Sequence, residues 1–228
     1  MGLAYDPREL PDQFTIVQPP IYNRRDGCLY QFNIFRSDTG KWTRSSQSVN
    51  LGSYWLAVKA VYAKGVIYWC CLEYLLWYDT KRDLAGSVVL PAKEKWIHVG
   101  VYSGEITFCN AWVGGIEVWR LTGGSGWDRL HATSWDGMLD AFNLCHSQSE
   151  MFFNRHMIIP VGFDGQFVYI VVWPKNRYIT SRLFRWETET GRTKDKGPIN
   201  LRDTWFRTKV FKYANSMARV PQILNGTF

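Results

Sequence analysis

Helical periodicity is almost missing from this chain. Short apolar runs recur instead, cut by Gly, Asp, Asn and Pro, which argues against a helical fold. No window approaches ~18 uninterrupted apolar residues, so no transmembrane helix is expected. Residues 1–20 lack a basic region followed by an apolar stretch, so no secretory signal is expected either. Cysteine is sparse. Cys28, Cys70, Cys71, Cys109 and Cys145 form an odd set without Cys-x-x-Cys spacing. That set suits a reducing compartment, cytoplasm or nucleus, better than a disulfide scaffold. The Asn225-Gly-Thr227 sequon would matter only in a secreted chain.

Patterns that carry chemistry are scarce too. There is no Gly-x-Ser-x-Gly, and Gly123-Gly-Ser-Gly126 lacks the Lys-Ser/Thr of a phosphate loop. Cys145-His146 with His156 matches no familiar zinc spacing. Asp38, Asp79, Asp164, Glu187 and Glu189 fall at turns, where an Asp commonly bonds its own backbone. Convergent carboxylates of the glycosidase kind are therefore not indicated. No catalytic residue, cofactor or metal ligand is expected, and the chain reads as a non-enzyme.

What the 228 residues do contain is aromatic side chains, at 16% with 12 Trp, and enough hydrophobic residues (46%) for a packed core. Aromatic and β-branched residues fit a pleated, half-buried surface. Candidate strands run over Phe14–Gln18, Leu29–Arg36, Val66–Cys71, Tyr74–Thr80, Ser87–Leu90 and Glu105–Ala111. Further candidates are Ile116–Leu121, Met157–Phe163, Phe167–Val172 and Arg182–Glu187. Each is short and bounded by turn signals, as in many-stranded antiparallel folds.

One element repeats: a strand, a small or polar residue, Gly, then an aromatic-rich strand. It occurs around Gly65, Gly104 and Gly165. A second element follows each hairpin and returns through a polar turn. Its copies are Phe35–Trp42, Leu76–Lys81, Val118–Trp127 and Phe184–Gly191. Gly65 to Gly104 spans 39 residues and Gly104 to Gly165 spans 61. Four-stranded blades repeat at ~40–50 residues. The surplus falls near 134–155 and reads as an inserted loop or a short helix, with Asp136 capping a turn that carries Met138, Leu139 and Phe142. The expected fold is all-β: one domain over 1–228 with about four antiparallel, kelch-like propeller-type blades, which an incomplete β-propeller would satisfy. A β-sandwich is the rival architecture.

Tryptophans divide into two groups. Trp69, Trp77, Trp119 and Trp186 lie within strands and are expected in the core or between blades. Trp55, Trp127 and Trp135 lie in or beside turn-rich stretches. Together with Phe152 and Arg155 they are the partner-contact candidates. The net charge of +7 is spread along the chain.

Several segments, in order, carry a family resemblance. They are Met1-Gly-Leu-Ala-Tyr-Asp-Pro7, Phe32-Asn-Ile-Phe-Arg-Ser-Asp-Thr-Gly-Lys-Trp42, Gly65-Val-Ile-Tyr-Trp69, Gly115-Ile-Glu-Val-Trp119 and the tail Val210–Pro221. Nearly the whole chain thus resembles the C-terminal, F-box-associated β-propeller region of plant F-box proteins. The resemblance implies a substrate-recruiting subunit of a Skp1–cullin–F-box ubiquitin ligase, with this region binding the protein to be ubiquitinated. Leu10-Pro-Asp12 is similar to an F-box opening, but Gln18-Pro-Pro20 follows and no amphipathic helical run does. Skp1 is therefore expected as a partner only if an F-box is hidden here or supplied elsewhere, and the chain is expected to be a fragment, a truncated product or a degenerate paralogue. Two other function classes stay open: a carbohydrate-binding or glycosidase-like propeller, and a basic nucleic-acid binder, whose affinity would fall steeply with salt.

Overall fold

A computed structural model describes residues 1–6, 12–19, 29–51, 60–71, 73–92, 97–112, 114–123, 126–135, 156–174 and 180–199. Among the described residues, sixteen strands form four antiparallel four-stranded sheets. The first sheet holds β1 (Gly2–Ala4), β2 (Thr15–Gln18), β3 (Leu29–Arg36) and β4 (Lys41–Asn50). The second holds β5 (Ala60–Ala63), β6 (Val66–Cys71), β7 (Tyr74–Asp79) and β8 (Leu84–Val89). The third holds β9 (Ile97–Tyr102), β10 (Glu105–Trp112), β11 (Gly115–Thr122) and β12 (Gly126–Ser134). The fourth holds β13 (His156–Phe163), β14 (Phe167–Pro174), β15 (Ser181–Glu187) and β16 (Thr193–Ile199). Every sheet is a simple meander in chain order.

The repeated glycine does what its position demands. Lys64 and Gly65 both have positive φ (49° and 85°), as do Ser103 and Gly104 (51° and 76°). Two successive positive-φ residues make the hairpin turn whose twist matches its strands. A second clasp recurs one turn later. The backbone N–H of Thr80 donates to Gly65 O at 3.0 Å, and that of Thr188 donates to Gln166 O at 2.9 Å. In the first sheet the N–H of Ser37 donates to Phe14 O at 3.0 Å. Each clasp joins a sheet's third–fourth strand turn to the start of its second strand. The internal repeat is therefore a structural one.

The sheets pack in series. The first strands β1, β5, β9 and β13 touch in succession. Three cores fill the gaps. Val17, Phe32, Ile34, Ile67, Trp69 and Tyr78 join the first sheet to the second. Leu75, Val88, Phe108 and Leu121 join the second to the third. Val118, Trp135, Ile170 and Trp186 are among those joining the third to the fourth. Trp69 and Trp186 are buried, as expected of strand tryptophans, while Trp77 and Trp119 are half-buried. Each large apolar side chain fully buried in this way contributes about 1.5–3 kcal/mol.

The outer strands leave little apolar trace in the sequence. β4 is mostly polar and β16 carries two Lys, an Asp and a Pro, so neither shows an apolar run. Such residues suit a sheet edge, where one side faces water. β8 begins three residues earlier than the expected Ser87 because Leu84–Gly86 pair with Trp77–Asp79. The expected insertion begins where β12 ends. Asp136, Met138, Leu139 and Phe142 lie outside the described residues.

One polar network locks the first sheet to the second. Ser45 Oγ donates to Asp83 Oδ1 at 2.6 Å, Ser46 Oγ donates to Oδ2 at 3.3 Å, and the Tyr78 hydroxyl also donates to Oδ1. Partial burial pushes the Asp83 carboxyl up, but the hydrogen bonds from Ser45, Tyr78 and Ser46 outweigh it, so its pKa lies below the ordinary value. Burial, with help from Asp83, pushes the Tyr78 phenol up. A carboxylate with a lowered folded pKa stabilises above its unfolded value of about 4, and that stabilisation is lost as pH falls through the folded value. Asp83→Asn is expected to cost about 1 kcal/mol at neutral pH. Asn tolerates the positive φ of 51° found here, so the backbone should hold. Urea midpoints from pH 7 down to 2 should show the variant losing less stability in acid than the parent. Parallel curves would refute the assignment.

Candidate functional site

The tight turns of successive sheets gather on one rim. There Lys64 Nζ pairs with Glu105 Oε1 from the second sheet to the third. The Tyr102 ring lies over Gly165, from the third sheet to the fourth, where a Cβ would come within 2.0 Å of the ring. Tyr102 also meets Phe163 edge-on at 5.4 Å.

Between the first two sheets this rim opens into a cleft of about 390 Å³. Phe14 and Tyr62 supply apolar walls, and Arg36, Lys81, Asp6 and Asp38 supply charge. The local sequence explains the placement. Arg36 is the last residue of β3, and the polar Ser37–Gly40 turn follows it. Gly40 has φ of 64°, and its N–H donates to Arg36 O at 2.9 Å, closing that turn. Asp38 Oδ1 accepts from the adjacent Thr39 N at 2.8 Å, and on the facing turn Asp79 Oδ1 accepts from Lys81 N at 2.9 Å, the Asx geometry expected of a turn aspartate. Lys81 lays its stem beside Gly65, about 3.5 Å from where a Cβ would stand. Arg36 is exposed and forms no ion pair with any described residue. The cleft therefore combines a fixed polar turn with an exposed cation, Arg36.

The partner-contact candidates are scattered by the structure. Trp135 is 4% exposed, packs in the third core, and donates its indole N–H to Trp112 O at 2.7 Å. It sits in the core because residues at the end of β12 turn inward over the third sheet; the turn-rich sequence around it had pointed to the surface. Trp127 is half-buried. Its indole N–H donates to Val89 O at 2.7 Å and its ring meets Phe108 at 5.8 Å, so it staples the third sheet to the second. Trp55, Phe152 and Arg155 lie outside the described residues. The sequence does not mark the cleft residues. Their turn signals, Ser37-Asp-Thr-Gly40 and Asp79-Thr-Lys81, predict strand reversals, and nothing in the sequence says that the two turns face each other.

Among the described residues, no group of three or more His, Cys, Asp and Glu could hold a metal ion. Cys145 and His146 lie outside them. Cys70, Cys71 and Cys109 are free thiols. Burial, then the neighbouring Cys71, pushes the Cys70 thiol up to about 12, so it is not a nucleophile at neutral pH.

No protein-family model matches the chain, and no curated protein matches it. Solved structures show distant, partial likenesses. One is HIRA(644-1017), at 11% identity and a TM-score of 0.37, covering 80% of this chain and 49% of that one. Another is a prolyl endopeptidase, at 11% identity and a TM-score of 0.34, covering 79% of this chain and 26% of that one. A third is a chain in the S. cerevisiae dbp5–nup159–gle1 structure, at 8% identity and a TM-score of 0.31, covering 78% of this chain and 59% of that one. The chain thus spans between a quarter and three fifths of the length of these structures.

Proposed function

We propose that this chain is a protein-binding module made of four propeller-type blades in an open series, and that its cleft between the first two blades receives a segment of the protein it recruits. The observation that carries the reading is the serial stack itself. Four meander sheets touch through their first strands, so their turns collect on one rim, and the cleft opens on that rim. Rigid sheets bearing loops at one end are a common platform for recognition. Recruitment requires no bond chemistry in this chain.

The lining is charge-balanced, Arg36 and Lys81 against Asp6 and Asp38, so the preference for an acidic segment rests on the exposed Arg36 and on the net charge of the chain, while Phe14 and Tyr62 offer an apolar wall for one neighbouring side chain. The net charge of +7 would draw such a partner in. The resemblance to F-box-associated regions extends the proposal: the bound protein would be a substrate for ubiquitination.

The test is capture by the immobilised chain, with Skp1 and cullin blotted in the bound fraction, beside the Arg36→Glu/Lys81→Glu variant. Both side chains lie at turns, so the variant should fold like the parent. Capture of the specific partner is expected to fall about tenfold or more, the effect of reversing charge in a binding site. Undiminished capture would remove the cleft from the proposal. Skp1 in the bound fraction would support the ligase adaptor; specific partners without Skp1 would leave a module that binds without delivering.

A further inference from the structure

The three clasps define equivalent positions in different sheets: Ser37, Thr80 and Thr188. Two residues before each stands a large side chain, Phe35, Tyr78 and Trp186. In the third sheet Leu121 holds the same place, two residues before the Gly123 turn, whose φ is 55°. Tyr78, Leu121 and Trp186 are 0%, 8% and 2% exposed, each covered by the sheet that precedes it in the series. Phe35 has the same place in the first sheet, before which no sheet stands among the described residues.

The register shows how far this uncovered face extends. Leu3 pairs with Ile16, Ile16 with Phe35, and Phe35 with Trp42. Residues directly opposite in a sheet share a face, so these four form one apolar row across all four strands. Their chain neighbours Ala4, Val17 and Ile34 lie on the other face, in the first core. Leu3 is 54% exposed and Trp42 50%. Phe35 meets Phe14 at 6.0 Å and Trp42 at 5.5 Å, widening the patch. Apolar surface gathered in this way, rather than scattered singly, marks an interface.

We propose that this face is the docking surface for a second copy of this chain, which seats there the outer face of its own fourth sheet. The inference rests on the blade reading above. All three existing interfaces join the back of one sheet to the front of the next, so a free front calls for a back. Among the described residues, the fourth sheet carries the one back on which no other sheet packs. On the fourth sheet Ile159 pairs with Val171 and Val171 with Leu183, on the face turned away from the third core. Ile159 and Leu183 are partly exposed, with Val171 buried between them. A head-to-tail contact stays finite only if it closes. Two copies of four sheets would give about eight, within the range of closed rings.

The full chain should run in light scattering at twice its 26.6 kDa mass. Leu3→Glu/Trp42→Glu lies on open surface and should keep a parental circular-dichroism spectrum and cooperative melt while weakening the dimer about 100-fold or more. Because Leu183→Glu could unfold the fourth sheet, the back face is tested by a milder pair. Chains carrying Leu3→Cys and Leu183→Cys, treated with a short bis-maleimide, should cross-link when mixed and not when kept apart. A monomer at high concentration, a dimer that survives Leu3→Glu/Trp42→Glu, or Leu3→Cys chains linking to each other would overturn the proposal. A monomer that still captures its partner through the cleft would end this inference and leave the binding reading intact; a ring without capture would do the reverse.

Discussion

Trp69→Ala is expected to remove about 3–5 kcal/mol of stability, the usual cost of emptying a buried Trp site. Trp69 is 1% exposed and stands at the centre of the core between the first two sheets, with the Phe32 ring 5.9 Å away. The surroundings have little freedom to collapse. A Cβ on Gly2 would come within 2.9 Å of Trp69 and 2.4 Å of Ile67, so β1 already touches these side chains. Domains of this kind are stable by about 5–15 kcal/mol, so the loss would be a large share of the total. Trp69→Phe should cost much less, because the indole N–H has no hydrogen-bond partner among the described residues and most of the ring is kept. Urea midpoints by tryptophan fluorescence and circular dichroism would check both. Equal losses in the two variants would mean that something other than ring volume holds this core.

Gly115→Ala is expected to be more damaging than its single methyl suggests. A Cβ there would lie 1.9 Å from Thr133 O and 3.1 Å from Ser134 Cα, both backbone atoms of the paired strand β12. Backbone cannot rotate aside as a side chain can, so β11 and β12 would have to part at this point. Their hydrogen bonds there would open, and Trp135, just past the end of β12, would lose its position against Trp112 O. A loss of about 3 kcal/mol or more is expected, at the severe end of single substitutions. Gly40→Ala is the control. Nothing lies within 4 Å of its Cβ, and only the φ of 64° resists, so about 1 kcal/mol is expected. Hydrogen exchange should speed up first in β11 and β12 of Gly115→Ala. Similar stabilities for the two variants would show that the close approach of β12 is relaxed in solution.

The glycine hairpins were legible because their chemistry is local. Lys64-Gly65 and Ser103-Gly104 require positive φ between two apolar strands, and a short window of sequence contains everything needed to see it. The central strands were legible for the same reason. β3 and β6 have the expected ends, since aromatic and apolar residues recur along both and turn residues bound them. The edge strands β4 and β16 were seen only as returns from turns, because a strand with one wet side has no full apolar pattern to show. Trp127 and Trp135 show the limit of context. Both sit beside turns in the chain, and both are held by indole hydrogen bonds to carbonyls, one of them on a neighbouring sheet.

The sequence by itself determined the period of the chain, the turn chemistry that produces it, and hence an all-β fold of about four units. Those are properties of residues within a few positions of one another. Tertiary structure alone decided which turns meet to form the cleft, and which apolar row is left without a neighbour. Leu3, Ile16, Phe35 and Trp42 come from four strands and form one face only after the register is set. Nothing separates Phe35 from Tyr78 or Trp186 in the repeat; only the order of packing buries the last two under a preceding sheet and leaves the first half-exposed.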